Sequence, residues 1–224
     1  MPLKCIPKTH QITTSGNAFR APTISTNEVS PAELVRQATF LVRKLVEAPE
    51  HADIISRMKR SIDGELFMIG GFLFRHIANR LHGELMPSLQ KAADMDLCTS
   101  GTIKPDMLKT LFKSARPHHR FDGVSISENG RAIDVFELNK CVWINDGKPG
   151  TIFAYLEDVT FNIQAIAYDL YSGQLLDNGS LNAILRKEIG VQNARRFDSN
   201  RQHWGMKGHK KAESMGFKFV DRRN

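Results

Sequence analysis

The chain has few of the residues that mark secreted, disulfide-bonded or membrane-spanning proteins. Its 224 residues include only three cysteines, Cys5, Cys98 and Cys141, which are too few and too widely spaced for a disulfide framework or a four-cysteine zinc site. The first residues, MPLKCIPKTHQITTSGNAF, contain no apolar segment typical of a secretion signal. No uninterrupted apolar run approaches the roughly 20 residues that cross a bilayer. The sequence therefore predicts a cytoplasmic protein with no membrane partner.

Acidic residues are outnumbered by basic ones. Asp and Glu total 24 against 31 Lys and Arg, which gives a formal net charge of +7. Such an excess favours an anionic partner, and charge alone does not choose among nucleic acid, nucleotide and an anionic surface. The 41% hydrophobic and 25% charged residues are ordinary for a globular chain. We expect one domain, or one domain with a small appendage.

The chain divides into three parts by composition. Residues 1–29 are rich in Ser, Thr, Asn and Pro, which predicts a flexible N-terminal arm. Ser30, Pro31 and Glu33 then form a helix start, with apolar residues at helical spacing to about Val46. Residues 30–190 carry the patterned segments of a domain. Residues 191–224 form a basic extension that is less patterned.

The patterned part predicts a mixed α+β fold. Strand patterns occur at 65–69, 94–98, 123–127 and 131–137, the last two joined by a hairpin turn, and helical patterns occur at 72–81, 104–113 and 161–170. We expect a mixed sheet flanked by helices. An N-terminal helix precedes this sheet, and a short helical extension follows it.

Two acidic residues, Asp94 and Asp96, stand two apart in one predicted strand. That spacing places both carboxylates on one face of the strand, close enough to require a cation or water. Either they flank a solvated turn, or they bind a hard divalent ion such as Mg²⁺, which prefers carboxylate oxygens. Asp134 strengthens the second alternative, because it lies between apolar neighbours on a later strand.

Gly70 and Gly71 stand between a predicted strand and a predicted helix. Backbone without side chains can approach a phosphate there, although a glycine pair alone is more often a simple turn. A glycine turn, two carboxylates and a third carboxylate on a later strand are together the parts of a two-metal nucleotidyl-transfer site. In that chemistry the ions offset the charge of the leaving pyrophosphate.

These segments resemble the head domain of the class II tRNA nucleotidyltransferases and bacterial poly(A) polymerases. The similarity covers roughly residues 65–190. It rests on the segments 68–75, 81–83, 94–99, 105–112, 120–127, 133–136, 161–169 and 175–177, with Gly173. The resemblance implies a polymerase-β-like nucleotidyltransferase fold, with residues 30–190 as the head domain and 191–224 as a truncated neck-like extension.

The resemblance also implies roles for individual residues. Asp94 and Asp96 would hold the metal ions, and Asp134 would complete the catalytic carboxylates. The remaining implied residues belong to the site of the incoming nucleotide: Gly70 and Gly71 at its phosphates, Arg75 nearby as a phosphate or structural contact, and Asp198 and Arg201 at its base. The implied cofactor is Mg²⁺, the donor an NTP such as ATP or CTP, and the acceptor an RNA 3′ end, with tRNA as one candidate.

Three hypotheses follow for the activity. The first is transfer of a nucleoside monophosphate from an NTP to an RNA hydroxyl. The second keeps this chemistry but changes the acceptor to a protein or small molecule, because the RNA-gripping helices of the family have no counterpart in 224 residues. The third is a catalytically weak nucleic-acid-binding module, because Asp158-Val159 stands where the family has two arginines. For the same length reason we expect a simpler transfer than full CCA addition, and pairing with a second copy is one way to extend the RNA surface.

Other residue types suggest weaker candidates. His118, His119, His203 and His209 lack cysteine partners or an i, i+4 pair, so we interpret them as surface-loop histidines and not as a metal site. Cys98 has no orienting histidine nearby in the sequence. We expect it to be a small buried residue of a strand.

Overall fold

The computed structural model describes residues 30–83, 94–118, 122–142, 144 and 147–221. The predicted arm at 1–29 lies outside the described residues, as do His119 and the first two residues of the segment 120–127. The helices are α1 (Pro31–Glu47), α2 (Pro49–Ser61), α3 (Gly70–His82), α4 (Pro105–Leu111), α5 (Ile152–Asp158), α6 (Ser180–Arg186), α7 (Ala194–Ser199) and α8 (Arg201–Met215). Short 3₁₀ turns cover Leu138–Lys140 and Asn162–Gln164.

The strands within the described ranges form one seven-stranded sheet and a separate pair. They are β1 (Leu66–Ile69), β2 (Met95–Thr99), β3 (Arg116–His118), β4 (Gly123–Glu128), β5 (Arg131–Glu137), β6 (Ile166–Asp169), β7 (Leu175–Asp177), β8 (Glu188–Gly190) and β9 (Lys218–Val220). The order in the large sheet is β3-β4-β5-β2-β1-β6-β7. Only β2 and β5 pair in parallel there, so the sheet is mixed. The expected α+β fold with a helix-flanked mixed sheet is confirmed.

The start of α1 follows directly from its sequence. Ser30 is the N-cap, and its Oγ accepts a hydrogen bond from the backbone N–H of Glu33 at 3.2 Å. Pro31 occupies the first helical position, where its missing N–H costs nothing. Leu34, Ala38 and Val42 form the buried stripe of this helix. The predicted helix from residue 31 to about Val46 is thereby confirmed.

The two faces of the large sheet are covered by different elements. On one face, Met68, Leu97 and Val135 belong to the main core, which also contains residues of α1, α2 and α3. On the other face a smaller cluster contains Phe67 and Cys98 and is covered by α5. Cys98 is fully buried, which confirms its expected role as a small core residue.

The prediction of a helix over 161–170 is wrong. The chain forms a 3₁₀ turn at Asn162–Gln164 and then β6, which pairs with β1 on one side and β7 on the other. Ile166, Ala167 and Tyr168 are all buried. Since β6 is an interior strand covered on both faces, it loses the alternation that distinguishes a strand from a helix.

Among the described residues, the helices are too short or too polar to span a membrane.

Candidate active site

A continuous row of residues crosses five strands on the face opposite α1. Asp96 of β2 pairs directly with Asp134 of β5, and Asp134 pairs in turn with Ser125 of β4. The row continues to Ile69 of β1 at one end and to Arg116 of β3 at the other. Directly paired residues project to the same face of a sheet. The fold therefore places the Asp96 and Asp134 carboxylates side by side, and we call these five residues the carboxylate row.

Gly70 is the residue on which this geometry depends most. It follows β1 with a φ of +75°, a backbone conformation that glycine adopts far more readily than residues with a side chain. A Cβ at this position would lie 2.1 Å from Oδ2 of Asp96. The backbone N–H of Gly71 donates a hydrogen bond to the Asp96 carboxylate. In this structure the glycine turn therefore packs against the Asp96 carboxylate and orients it.

Asp134 is held by two side chains from the neighbouring strands. Ser125 Oγ donates a hydrogen bond to Asp134 Oδ1 at 2.5 Å. His118 Nε2 lies 3.6 Å from Asp134 Oδ2, and the His118 side chain is only 14% exposed. The interpretation of His118 as a surface-loop histidine is wrong, because it lies on β3 beside the carboxylates. His203 and His209 are exposed, although on α8 and not in a loop.

The carboxylates repel one another. Burial, followed by the nearby charges of Asp134 and Asp94, raises the pKa of Asp96 from its ordinary 3.8 to about 7. The hydrogen bond from Gly71 and the charge of Lys211 act in the opposite direction and do not compensate. A carboxyl group in this state gains from any cation that enters beside it. The site therefore favours an added cation, because Lys211 offsets the negative charge only in part.

Asp94 and Arg75 complete the near surroundings of Asp96. Asp94 is exposed and lies just before β2, so it contributes to the site by charge and not by strand pairing. Arg75 lies on α3, one turn after Gly71, and both Asp94 and Asp96 act on its charge. Burial lowers the pKa of Arg75, and its buried Nε has no hydrogen-bond partner among the described residues.

Lys211 is a site residue that the sequence pattern does not reveal. It lies on α8, and the charges of Arg75, Asp96 and Lys207 act on it. Burial and the charge of Arg75 lower the pKa of Lys211 to about 8, against the attraction of Asp96. Its Nζ lies 5.0 Å from the centre of the Phe74 ring. Only the fold brings it there, since 115 residues separate Asp96 from Lys211.

The proposed base-reading residues lie at the ends of the two C-terminal helices. Asp198 of α7 and Arg201 of α8 are both exposed. Arg201 Nη2 donates to Oδ2 of Asp221, which follows β9, at 3.3 Å. Arg201 is therefore engaged near the small β8–β9 pair, and the side chain of α8 that comes into electrostatic range of the carboxylates is Lys211.

Asp158 is a buried anion with cationic and amide partners. Its Oδ1 accepts from Lys148 Nζ at 3.0 Å and from Asn193 Nδ2 at 3.2 Å. The charge of Asp158 also acts on Arg196 of α7. Lys148 and Arg196 thus bring basic groups from outside the segment 158–160 to Asp158.

The carboxylate row fits a magnesium ion by the chemistry of its donors. Within the described ranges, no group of three or more His, Cys, Asp or Glu side chains is arranged to hold a metal ion by itself. Mg²⁺ is commonly bound by one or two carboxylates, with phosphate oxygens and water completing its shell. The paired carboxylates of Asp96 and Asp134, one of them with a raised pKa, match that requirement.

Comparison with known proteins identifies the fold. No protein-family model matches the chain, and no curated protein matches it. Solved structures do match. One is the CCA-adding enzyme of Bacillus stearothermophilus in complex with CTP, with 19% identity, a TM-score of 0.55 and 77% of this chain covered. The chain has the nucleotidyltransferase fold.

Two further structures show the same likeness. A CCA-adding enzyme in complex with CTP has 16% identity, a TM-score of 0.59 and 83% of this chain covered. The Thermotoga maritima CCA-adding enzyme complexed with tRNA has 16% identity, a TM-score of 0.53 and 88% covered. The matched region spans 41% to 43% of the length of these enzymes. At these identities the likeness establishes the shared fold.

Proposed function

We propose that the chain is a metal-dependent nucleotidyltransferase that moves a nucleoside monophosphate from an NTP to a hydroxyl group at an RNA 3′ end. The observation that carries this proposal is the direct pairing of Asp96 with Asp134 beside the Gly70 turn. The shared fold adds support, because the enzymes with that fold are CCA-adding enzymes. We further infer membership of the class II tRNA nucleotidyltransferase and poly(A) polymerase family, supported by the motifs around Gly70, Asp94 and Asp134.

The proposed cofactor is Mg²⁺, held by Asp96 and Asp134 with Asp94 at the solvent side. When bound, Mg²⁺ supplies charge neutralisation at the triphosphate and eases deprotonation of the acceptor hydroxyl. We infer that Asp134 takes part in proton transfer, since Ser125 donates a hydrogen bond to it and His118 Nε2 lies 3.6 Å from its Oδ2. These contacts hold the Asp134 carboxylate in place, and we infer that it acts on the incoming hydroxyl. Gly70 and Gly71 keep Asp96 in place, as described above.

Two cations of the chain are placed to bind phosphate. Arg75 and Lys211 both act on the charge of Asp96, from α3 and α8 respectively. The charges of Asp94 and Asp96 both act on Arg75, and a guanidinium group binds phosphate oxygens well. We infer that these cations offset the charge of the leaving pyrophosphate, and that the protein acts by positioning and electrostatics without covalent chemistry.

An RNA acceptor is favoured over other hydroxyl acceptors by two observations. One enzyme with the same fold is complexed with tRNA. The chain has 31 basic against 24 acidic residues, a balance that suits phosphate contacts.

The proposal is tested by incubating the chain with Mg²⁺ and each NTP labelled at the α-phosphate, in the presence of separate RNA, protein and metabolite pools. Label on RNA, with release of pyrophosphate, is the expected result. Asp96→Asn serves as the control, because it keeps the side-chain shape and removes the charge. Label on protein or a metabolite changes the acceptor, and binding of NTP without transfer in any pool contradicts the enzyme proposal.

A further inference from the structure

A cavity lies on the face of the sheet that α1, α2 and α3 cover. It has a volume of about 500 Å³ and is bounded by α1, the start of α2, α3 and the first residue of β5. That volume is within the usual range for small-molecule sites. Of the residues proposed above for the reaction, Arg75 lines this cavity, while Gly70, Asp96 and Asp134 are absent from its lining. The cavity is therefore distinct from the carboxylate row and adjoins it at one side chain.

The lining of this cavity is mainly cationic. The described side chains around it include Lys44, Arg75, Arg80 and Arg131, against Glu50 as the acidic member. Like charges gathered around a concave surface raise the local concentration of counter-ions. Lys44 contributes least to this positive charge, because its ammonium also lies 3.6 Å from a carboxylate oxygen of Glu47. The net positive lining selects for an anionic ligand.

Two of these cations present donors that the described residues leave unused. Arg75 Nε and Arg131 Nη1 are buried, and no hydrogen-bond acceptor of the described chain reaches them. A buried donor without a partner destabilises the folded chain. A ligand that accepts hydrogen bonds from both guanidinium groups would remove that destabilisation, and phosphate oxygens have the charge and the geometry for it.

His51 adds a group of a different kind. Its side chain is 3% exposed and lines the cavity. Nδ1 lies 2.8 Å from the carbonyl oxygen of Leu45, so Nδ1 carries the hydrogen and Nε2 of the neutral ring is an acceptor. Nε2 is buried and has no partner among the described residues. The cavity thus offers donors for an anion and an acceptor for a hydroxyl or N–H group.

Aromatic rings form part of the wall. Phe72 lies against His51, with ring centres 5.4 Å apart, and Arg131 Cζ is 4.6 Å from the centre of the Phe72 ring. Phe40 is 58% exposed although it is a large apolar side chain. Such surfaces stack favourably with a planar ring. Inorganic phosphate would use the cations and leave this wall and His51 without a partner.

We propose that this cavity is a second binding site, which takes a mononucleotide with its phosphate at Arg75 and Arg131 and a hydroxyl or N–H group at His51. The site uses no metal ion. It extends beyond the proposed reaction, because it binds whether or not the carboxylate row transfers nucleotides.

Calorimetric titration of the full chain with AMP, adenosine and inorganic phosphate tests this site. EDTA in the buffer suppresses metal-dependent binding at the carboxylate row. We expect AMP to bind at one site, at least tenfold more tightly than adenosine or phosphate. Equal binding of phosphate and AMP, equal binding of adenosine and AMP, or absence of AMP binding overturns the proposal.

Variants locate the binding. Arg131→Ala should weaken AMP binding at least tenfold, and the double change Lys44→Ala with Arg80→Ala should weaken it about threefold without touching a buried residue. Arg60→Ala is the matched control, since Arg60 is exposed at the end of α2 and outside the cavity lining. Asp96→Asn should bind AMP like the parent. Loss of binding in Asp96→Asn, or unchanged binding in both cavity variants, contradicts a separate site, and neither result depends on nucleotide transfer.

Discussion

Two neighbouring rows of residues in the same sheet have different roles. Met68, Leu97, Val135 and Val124 pair across β1, β2, β5 and β4, and we call them the apolar row. Each of its members lies one residue away from a member of the carboxylate row. Met68, Leu97 and Val135 are at most 1% exposed, whereas Asp96 and Asp134 lie on the opposite face and are partly buried. One step along a strand thus separates residues that stabilise the fold from residues that are proposed to act on substrate.

The comparison indicates that the carboxylates of this row contribute unfavourably to the stability of the fold. Burial of apolar side chains against α1–α3 is favourable at every position of the apolar row. Asp96 is in the opposite situation, because burial and the charges of Asp134 and Asp94 raise its pKa to about 7. A group that is held in an unfavourable charge state is characteristic of functional sites. The fold tolerates this repulsion because the adjacent row is tightly packed.

Substitutions in the two rows should differ most in their effects on nucleotide transfer and on stability. Asp96→Asn or Asp134→Asn should lower nucleotide transfer by about three orders of magnitude, because charge that acts on the transition state is removed. Thermal unfolding should stay unchanged or shift upward, since a like-charge repulsion is relieved. Leu97→Ala should instead lower the free energy of unfolding by about 2–5 kcal/mol.

The contrast requires both assays on all three variants. Activity should be expressed per folded molecule, so that Leu97→Ala retains most of its transfer rate. If Asp134→Asn transfers like the parent while Leu97→Ala does not, the division of labour between the rows is wrong.

The next effect concerns the glycine turn. Gly70→Ala should lower transfer by about a hundredfold, because its Cβ would displace Asp96 Oδ2 and the φ of +75° becomes strained. Gly71→Ala is the matched control, since the nearest atom to its Cβ would be Arg75 Nε at 3.8 Å. Steady-state label transfer by the two variants gives the comparison. Equal activity of both would show that Gly70 does not position the carboxylate.

A smaller effect should appear in the pH dependence of stability without metal. Because the folded-state pKa of Asp96 is about 7 and its ordinary value is 3.8, the folded chain holds a proton that the unfolded chain releases between these pH values. The contribution of this group therefore falls as the pH rises through that window. We expect the free energy of unfolding of Asp96→Asn, relative to that of the parent, to rise by about 2 kcal/mol between pH 5 and pH 8. Chemical denaturation in EDTA measures this difference.

Magnesium provides the control for this pH effect. At pH 8, added Mg²⁺ should raise the stability of the parent and leave that of Asp96→Asn nearly unchanged. A difference between the two proteins that is the same at pH 5 and pH 8 would contradict the raised pKa.

The smallest effect concerns the cation from α8. Lys211→Ala should lower transfer about tenfold, because one of two positive charges near Asp96 is lost. Lys210→Ala removes the same charge from the adjacent, exposed position and should have little effect. Rates at saturating NTP distinguish the two. Equal losses in both variants would indicate a general charge effect without a specific role for Lys211.

The sequence predicts those features that depend on local periodicity. The strand patterns placed Asp96 and Asp134 each on a strand, and the structure makes these strands neighbours and pairs the two residues directly. β6 could not be assigned in the same way, because an interior strand that is apolar on both faces resembles a buried helix over so short a length. Its neighbours β1 and β7 determine its conformation.

Features that depend on contacts between distant segments escape sequence patterns. Lys211 is one of a pair of lysines on a helix, and the pattern does not say which one turns toward Asp96. His118 stands in a polar segment that reads as a loop, and its position follows from the pairing of β3 with β4. The unpaired His51 Nε2 likewise becomes visible only when α1, α2 and α3 are packed together.

The proposed function requires that two strands share one metal ion through Asp96 and Asp134. Mn²⁺, which accepts the same oxygen ligands as Mg²⁺, can be followed by electron paramagnetic resonance in the presence of a non-hydrolysable NTP analogue. We predict that the parent binds Mn²⁺ and that Asp96→Asn and Asp134→Asn each weaken this binding at least tenfold. Parent-like Mn²⁺ binding by Asp134→Asn would contradict the account.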